Sequence, residues 1–279
     1  MLNLQKVYKP ETLDEALVLL KTPGAAVLAG GTDLIVHRRK DVQAVVDLSG
    51  LNLAYMRSQA EGLALGAMTT LSEVAGSPIL HNAANGIVAQ AAQRTKTSIL
   101  RNQATIAGTL ISEPAGILAT ALVALEARVI RAPADAPDGD GRGVALVEFL
   151  AGRTRLLSGA LVTEVWIPGA CLERTARIET VARTPQDKPI VSVATSLQLE
   201  SGMVRAIAIA LGGVGESVLR VVAAENRLSE QKLTVEGVEQ AAQESAADLN
   251  PFADFRGSAE YRREMARVLI ARALNELLP

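Results

Sequence analysis

Val27-Leu28-Ala29-Gly30-Gly31-Thr32-Asp33 and Thr105-Ile106-Ala107-Gly108-Thr109-Leu110 are the two stretches that decide how this chain reads. Each joins an apolar, partly β-branched run to an Ala-Gly-(Gly)-Thr turn. Glycine admits positive φ and lets a backbone approach a ligand closely. Successive amide N–H groups in such a turn form a concave anion site, and a helix starting directly after it adds its dipole. One turn of this kind is usually only a turn. Two point to a pair of clamps on one polyanionic group, and a diphosphate is the natural candidate. Neither matches Gly-x-Gly-x-x-Gly or the P-loop ending in Gly-Lys-Ser/Thr, so neither an ordinary dinucleotide fold nor a P-loop NTPase is indicated.

The segments around the turns are well punctuated. Thr12-Leu13-Asp14-Glu15 reads as a capping box, and Leu13, Ala16, Leu17 and Leu20 form the apolar stripe of the helix it opens. Pro23-Gly24 ends that helix. A strand from Ala25 to Leu28 then delivers the first turn, a brief helix is expected over 34–39, and a strand over 42–48. Further on, 63–68 reads as a strand and Thr70-Leu71-Ser72-Glu73 as a second capping box. Ser77-Pro78 should start a longer helix. A buried helix is expected over 118–127, a short strand at Val129-Ile130, and an exposed Pro/Gly/Asp loop over 132–141. Alternation over 190–199, a Ser201-Gly202 turn and a return over 204–211 make an antiparallel hairpin, with Val191, Val193, Thr195, Leu197 and Leu199 on one face. Helices follow over 235–247 and 258–278. In the last, Tyr261, Met265, Val268 and Arg272 share a face, while Arg262, Arg263 and Arg267 lie largely elsewhere and read as a solvated basic surface.

Composition removes several functions. The chain has 279 residues, room for two or three compact units, and 49% hydrophobic content with only 3% aromatics. Its core is therefore mostly Ala, Leu, Val and Ile. A net charge of −2 gives no basic excess to hold nucleic acid. The single cysteine, Cys171, cannot form an internal disulfide or hold an iron–sulfur cluster, and reads as a buried thiol. Two histidines, His37 and His81, read as surface imidazoles rather than a zinc site. The start of the chain has no basic region followed by an apolar run, and no stretch reaches the ~20 apolar residues of a membrane span. The expectation is a cytoplasmic protein.

Taken in order, the motifs resemble a known family along essentially the whole chain. Tyr8-Lys9-Pro10, then Leu13 and Glu15-Ala16, precede Leu28 to Leu34. Leu65-Gly66-Ala67-Met68-Thr69-Thr70-Leu71 follows, then Leu100-Arg101-Asn102-Gln103-Ala104-Thr105-Ile106-Ala107-Gly108. Ala210-Leu211-Gly212-Gly213-Val214 ends the hairpin, and Asp254-Phe255-Arg256-Gly257-Ser258-Ala259-Glu260-Tyr261-Arg262-Arg263 opens the last helix. This set is similar to the FAD-binding, medium subunit of molybdenum hydroxylases of the carbon monoxide dehydrogenase and xanthine dehydrogenase type. The resemblance implies an α+β chain: a two-part N-terminal FAD-binding α/β region (PCMH-like) over 1–57 and 58–169, then a C-terminal antiparallel sheet with helices over 170–279. It also implies partners, a molybdenum–pterin large subunit and a small subunit with [2Fe–2S] clusters, in a heterotrimer or its dimer. Electrons would pass from the clusters through flavin to an external acceptor. Substrate oxidation would lie on another chain, and no catalytic residue is assigned.

The resemblance also carries binding residues. Leu28, Ala29, Gly30, Gly31, Thr32 and Asp33 match the first FAD motif, where amides and the Thr32 hydroxyl would hold the pyrophosphate. Asp33, an anion beside an anion, is assigned to capping or loop order. Thr105, Ala107, Gly108 and Thr109 match the second motif, and Ser112 and Gly116 continue along the nucleotide. Leu156 falls where the family lines the adenine region. The stretch 183–189 falls where the family brings a loop near the isoalloxazine, and Lys188 is the charged group there that could stabilise reduced flavin. Three positions depart from the family: its second motif reads Thr-Ile-Gly-Gly-Asn, against Ala107 and Thr109 here, and a typical Asp is Ile117. These departures motivate an alternative, a structural medium subunit that has lost FAD.

Overall fold

The computed structural model of the chain describes residues 4–37, 40–132, 143–184 and 187–278. Three sheets and the helices between them make an α+β architecture. The first sheet contains β1 (Lys6–Tyr8), β2 (Ala25–Leu28) and β3 (Ala44–Asp47), ordered β1-β3-β2 with both outer strands parallel to β3. Parallel neighbours need crossover connections, and the helix Leu13–Leu19 supplies the first. The Thr12 hydroxyl accepts from the Glu15 amide at 3.2 Å, but the Glu15 carboxylate reaches back to the Glu11 amide rather than that of Thr12. Ala16 is buried against Val46, Leu48 and Leu161, and Leu161 belongs to the second sheet.

That second sheet is antiparallel: β4 (Met56–Gln59), β5 (Gly62–Gly66), β6 (Arg128–Ala132), β7 (Val144–Ala145) and β8 (Leu161–Pro168), in the order β4-β5-β8-β6-β7. Helices fill the long connection between β5 and β6. The box at Thr70–Glu73 forms in both directions. The longer helix expected from Ser77 is interrupted: it ends at Asn82, Ala84, Asn85 and Gly86 take positive φ, and a helix resumes at Ile87. Left-handed residues cannot continue a right-handed helix. The expected helix over 118–127 is Ile117–Ala124, with every residue buried. The loop expected over 132–141 lies, except Ala132, outside the described residues.

The third sheet is β9 (Thr175–Val181), β10 (Val191–Glu200), β11 (Met203–Gly212) and β12 (Leu219–Arg220), all antiparallel in the order β12-β11-β10-β9. Ser201 and Gly202 both have positive φ (51° and 78°), the turn geometry that matches strand twist. Val191, Val193 and Leu197 pack with Val238, Ala241, Leu269 and Ile270 of the helices Val235–Ala247 and Ala259–Asn275. The opposite face is small and polar, and it seats the buried helix Ile117–Ala124: Ser192 and Thr120 hydroxyls meet at 2.9 Å, and Ser196 donates to the Ala124 carbonyl at 2.7 Å. The hairpin is thus covered on both faces.

The last helix corrects the reading of a solvated basic surface. Arg262 is fully buried. Its Nη1 donates to the carbonyls of Ile190 (2.6 Å) and Gly213 (2.7 Å), and its Nη2 to Asp254 Oδ1 (2.6 Å). The guanidinium lies 4.5 Å from the Phe252 ring centroid. One arginine ties the helix to both strands at the open end of the hairpin. No single helix among the described residues is long and apolar enough to cross a membrane.

Candidate cofactor site

The first glycine turn follows directly from β2, whose parallel pairing with β3 sets Leu28 beside Asp47. Gly31 has φ of +70°, a conformation suited to glycine. Among the described residues, the amides of Gly30, Gly31, Thr32 and Asp33 donate to no acceptor. Over 34–37, the described part of the helix expected at 34–39, the chain forms turns and no helix. Separate turn bonds run there, Ile35 N–H to Gly31 O and His37 N–H to Asp33 O, while Arg38 and Arg39 lie outside the described residues. The turn therefore presents unpaired amides without a helix dipole behind them. The Asp33 carboxylate lies 3.1 Å from His37 Nε2, one turn further along the chain.

Gly30 joins the two motifs. A Cβ there would lie 1.7 Å from the Gln103 carbonyl oxygen and 2.6 Å from its carbon. Only a residue without a side chain permits this approach, and it brings Gly30 against the residues that lead into the second turn.

The second turn is built differently. Thr105 caps the helix Ile106–Ser112, its hydroxyl accepting from Gly108 N–H at 3.2 Å. Ile106 N–H donates to Thr69 O (2.9 Å), Ala107 N–H to Ala67 O (3.3 Å) and Thr109 N–H to Thr105 O (2.9 Å). The four amides at this helix start are thus engaged by the chain itself, which differs from the expectation of a second backbone clamp. The physical reason is the segment Ala67-Met68-Thr69-Thr70, which runs beside Thr105 in an antiparallel bridge and offers its carbonyls. Ala107 and Ile117 belong to the main hydrophobic core. The Thr109 hydroxyl is buried and has no hydrogen-bond partner among the described residues.

Beyond the helix, Ser112 Oγ donates to Thr109 O at 3.4 Å. Gly116 closes a turn on Glu113 O (2.9 Å) and starts the buried helix. Glu113 Oε1 accepts from Lys96 Nζ at 2.7 Å and lies 3.1 Å from Lys188 Nζ. Burial pushes the Glu113 carboxyl up, but the Lys96 hydrogen bond and the two ammonium charges outweigh it and hold the group below its ordinary value. Lys188 is therefore tethered to the end of the second motif. Leu156 closes the helix Leu146–Leu156, which packs on Ile106–Ser112, and its carbonyl accepts from Arg131 at 2.8 Å. The structure sets Gly30 of the first turn against Gln103 and Ala104, just before the second turn, and ties Lys188 to Glu113, the residue after Ser112. Leu156 stands one helix behind Ile106–Ser112.

Sequence reasoning missed Lys96, Glu113 and the carbonyls of Ala67 and Thr69. Leu65–Leu71 was legible as a motif but not as the acceptor strip it provides. Among the described residues, no group of three or more His, Cys, Asp or Glu could hold a metal ion. Cys171 is buried. Burial pushes its thiol up to about 12, against the lowering effect of Arg174, so it is no redox thiolate at neutral pH.

A family model described as the FAD binding domain in molybdopterin dehydrogenase matches residues 2–170. The chain belongs to this family. A second model, the CO dehydrogenase flavoprotein C-terminal domain, matches residues 176–277. This FAD-binding medium subunit is 29% identical to the glyceraldehyde dehydrogenase medium chain of Sulfolobus acidocaldarius, over 96% of each chain. It is 29% identical to the carbon monoxide dehydrogenase medium chain of Hydrogenophaga pseudoflava, over 96% of this chain and 95% of that one. A solved structure of the Hydrogenophaga pseudoflava enzyme that lacks the Mo-pyranopterin moiety has a chain that superposes with a TM-score of 0.88 at 28% identity, covering 98% of this chain and 96% of that one. The cofactor of the subunit is FAD, and the subunit is a flavin-containing part of a molybdenum hydroxylase. Its residues fit that group: unpaired amides at Gly30 to Asp33 suit a diphosphate, and the orphaned Thr109 hydroxyl suits a polar ligand atom.

Proposed function

We propose that this medium subunit holds FAD as the exit of an electron route, from the [2Fe–2S] clusters of a small partner subunit to an external acceptor. A large partner carries the molybdenum–pterin centre, and the three chains form a heterotrimer or its dimer. The observation that carries the reading is the first turn: four consecutive amides without an acceptor, in a glycine turn pressed against the second motif. In this reading Leu28 to Thr32 hold the diphosphate, Asp33 orders the turn, and Thr105, Ala107 and Gly108 shape the wall opposite. Thr109, Ser112 and Gly116 follow the nucleotide, Leu156 supports the adenine side, and Lys188 faces the ring. Bound FAD supplies one- and two-electron chemistry; the protein contributes binding, orientation and electrostatics. The three sheets support three units close to 1–57, 58–169 and 170–279, although the first boundary as drawn cuts β4 (Met56–Gln59), which belongs wholly to the second sheet.

The test is a visible absorption spectrum of the purified chain, with heat release and identification of the flavin. FAD near one per chain supports the reading. A folded chain that neither carries nor takes up FAD overturns it. A second reading, a structural medium subunit without FAD, draws on the engaged amides of Ile106 to Thr109. A purified complex containing this chain and no flavin, with uptake restored by Ala107→Gly and Thr109→Asn together, would establish that reading.

A further inference from the structure

Three separate segments meet on one carboxylate oxygen. Lys96 sits at φ 59° in the bend between the helices Ile87–Arg94 and Ser98–Arg101. Glu113 follows the helix Ile106–Ser112. Lys188 lies just before β10. Both ammonium groups contact Glu113 Oε1, so one positive charge is left uncompensated. The exposures decide where it is felt: the Glu113 and Lys96 side chains are 13% and 15% exposed, and that of Lys188 is 69% exposed. The half-buried pair is screened little by salt, and the surplus charge stands at the open, Lys188 end. The neighbouring charges on that segment cancel, with Arg183 Nε 3.2 Å from Asp187 Oδ2.

The helix Ile106–Ser112 acts as a ruler. It begins just after Gln103, whose carbonyl abuts Gly30 of the first turn, and ends at Glu113, a rise of about 10 Å for seven residues. That is comparable to the reach of a five-carbon ribityl chain from a diphosphate to a flavin ring. We propose that Lys96 and Glu113 are positioning residues that hold the Lys188 ammonium, with its charge in excess, at the isoalloxazine end of the FAD site. The proposal rests on the FAD reading above. Reduction adds negative charge to the flavin ring, and a fixed positive charge beside it favours the reduced form.

The experiment is a midpoint titration of the flavin in the full FAD-loaded chain, with dithionite as reductant and a reference dye. Lys96→Met and Lys188→Met each lower the potential, and Glu113→Gln raises it. Each shift is about tenfold in the reduced-to-oxidised ratio at fixed poise, about 30 mV for a two-electron couple. Lys96→Arg keeps the wild-type potential. A merely structural tie would move all three variants in the same direction, and that result overturns the proposal, as do unmoved potentials at full FAD occupancy. If Glu113→Gln does not fold, the two lysine variants and Lys96→Arg decide the matter. An unmodified chain that takes up no FAD defeats the FAD reading itself, which is seen before any variant is compared.

Discussion

A methyl group at residue 30 would test whether the two glycine turns must touch. The added Cβ of Gly30→Ala falls 1.7 Å from the Gln103 carbonyl oxygen and 3.2 Å from the Ala104 Cα. Carbon contacts settle near about 3.5 Å, so the two backbones must part by about 1.8 Å. Neither side of the contact is a flexible side chain that could swing away. Overpacking costs typically about 1–3 kcal/mol, and a backbone-on-backbone clash belongs at the upper end. For a chain of this size, about 3 kcal/mol lowers the melting temperature by about 6 °C. Because the opening separates the first turn from the wall that faces it, FAD occupancy falls as well. Gly76→Ala is the control: a Cβ there meets nothing within 4 Å, and its melting temperature stays level or rises. Thermal melts and flavin stoichiometry read both effects. A Gly30→Ala chain that melts with wild type and keeps one FAD would show that the contact between the turns does not matter to the site.

Other positions give independent checks. Arg262→Met leaves the Ile190 and Gly213 carbonyls without their buried donor, and breaking such a buried ionic network costs about 3–5 kcal/mol; urea unfolding measures it, and a loss below about 1 kcal/mol would refute the keystone role. Thr109→Val removes a buried hydroxyl that has no partner among the described residues, so the FAD-free chain is unchanged or more stable by about 1 kcal/mol. The same variant weakens FAD about fivefold to tenfold, the worth of one hydrogen bond; an unaltered dissociation constant by fluorescence titration argues against any contact. Glu113 has a depressed carboxyl value in the folded chain, so its stabilisation is complete above the ordinary value of 4.5 and is lost as pH falls through the folded value. The stability gap between wild type and Glu113→Gln therefore narrows in acid, and a gap that widens there contradicts the pairing.

The sequence made some of this architecture legible and hid the rest for definable reasons. Strand 25–28, the hairpin and the second capping box were readable because each rests on local chemistry: alternation, a turn pair with positive φ, a threonine answered by a glutamate. The break after Asn82 was missed although Asn85-Gly86 is a pair that favours left-handed backbone; only Ala84 carries no such marker. Within its described part, the helix expected after the first turn is replaced by separate turn bonds from Ile35 to Gly31 and from His37 to Asp33. Arg262 was misread because helical spacing cannot tell a solvated arginine from one whose carbonyl acceptors, Ile190 before β10 and Gly213 after β11, are far away in sequence.

The same distinction governs the site. Both turns show the same letters, and letters suggest the same task. Backbone amides, however, are available to a ligand only where no carbonyl reaches them first. Thr69 and Ala67 reach Ile106 and Ala107, and Thr105 serves both Gly108 and Thr109; no described acceptor reaches Gly30 to Asp33. In the proposed FAD reading, the burden of anion binding therefore falls on the first turn. Ala107 and Ile117 become easier to understand on that footing. With their side chains in the core, they add apolar burial to the helices that carry the proposed wall, and the Thr109 hydroxyl, buried without a partner among the described residues, is the polar group that bound FAD would satisfy in that reading.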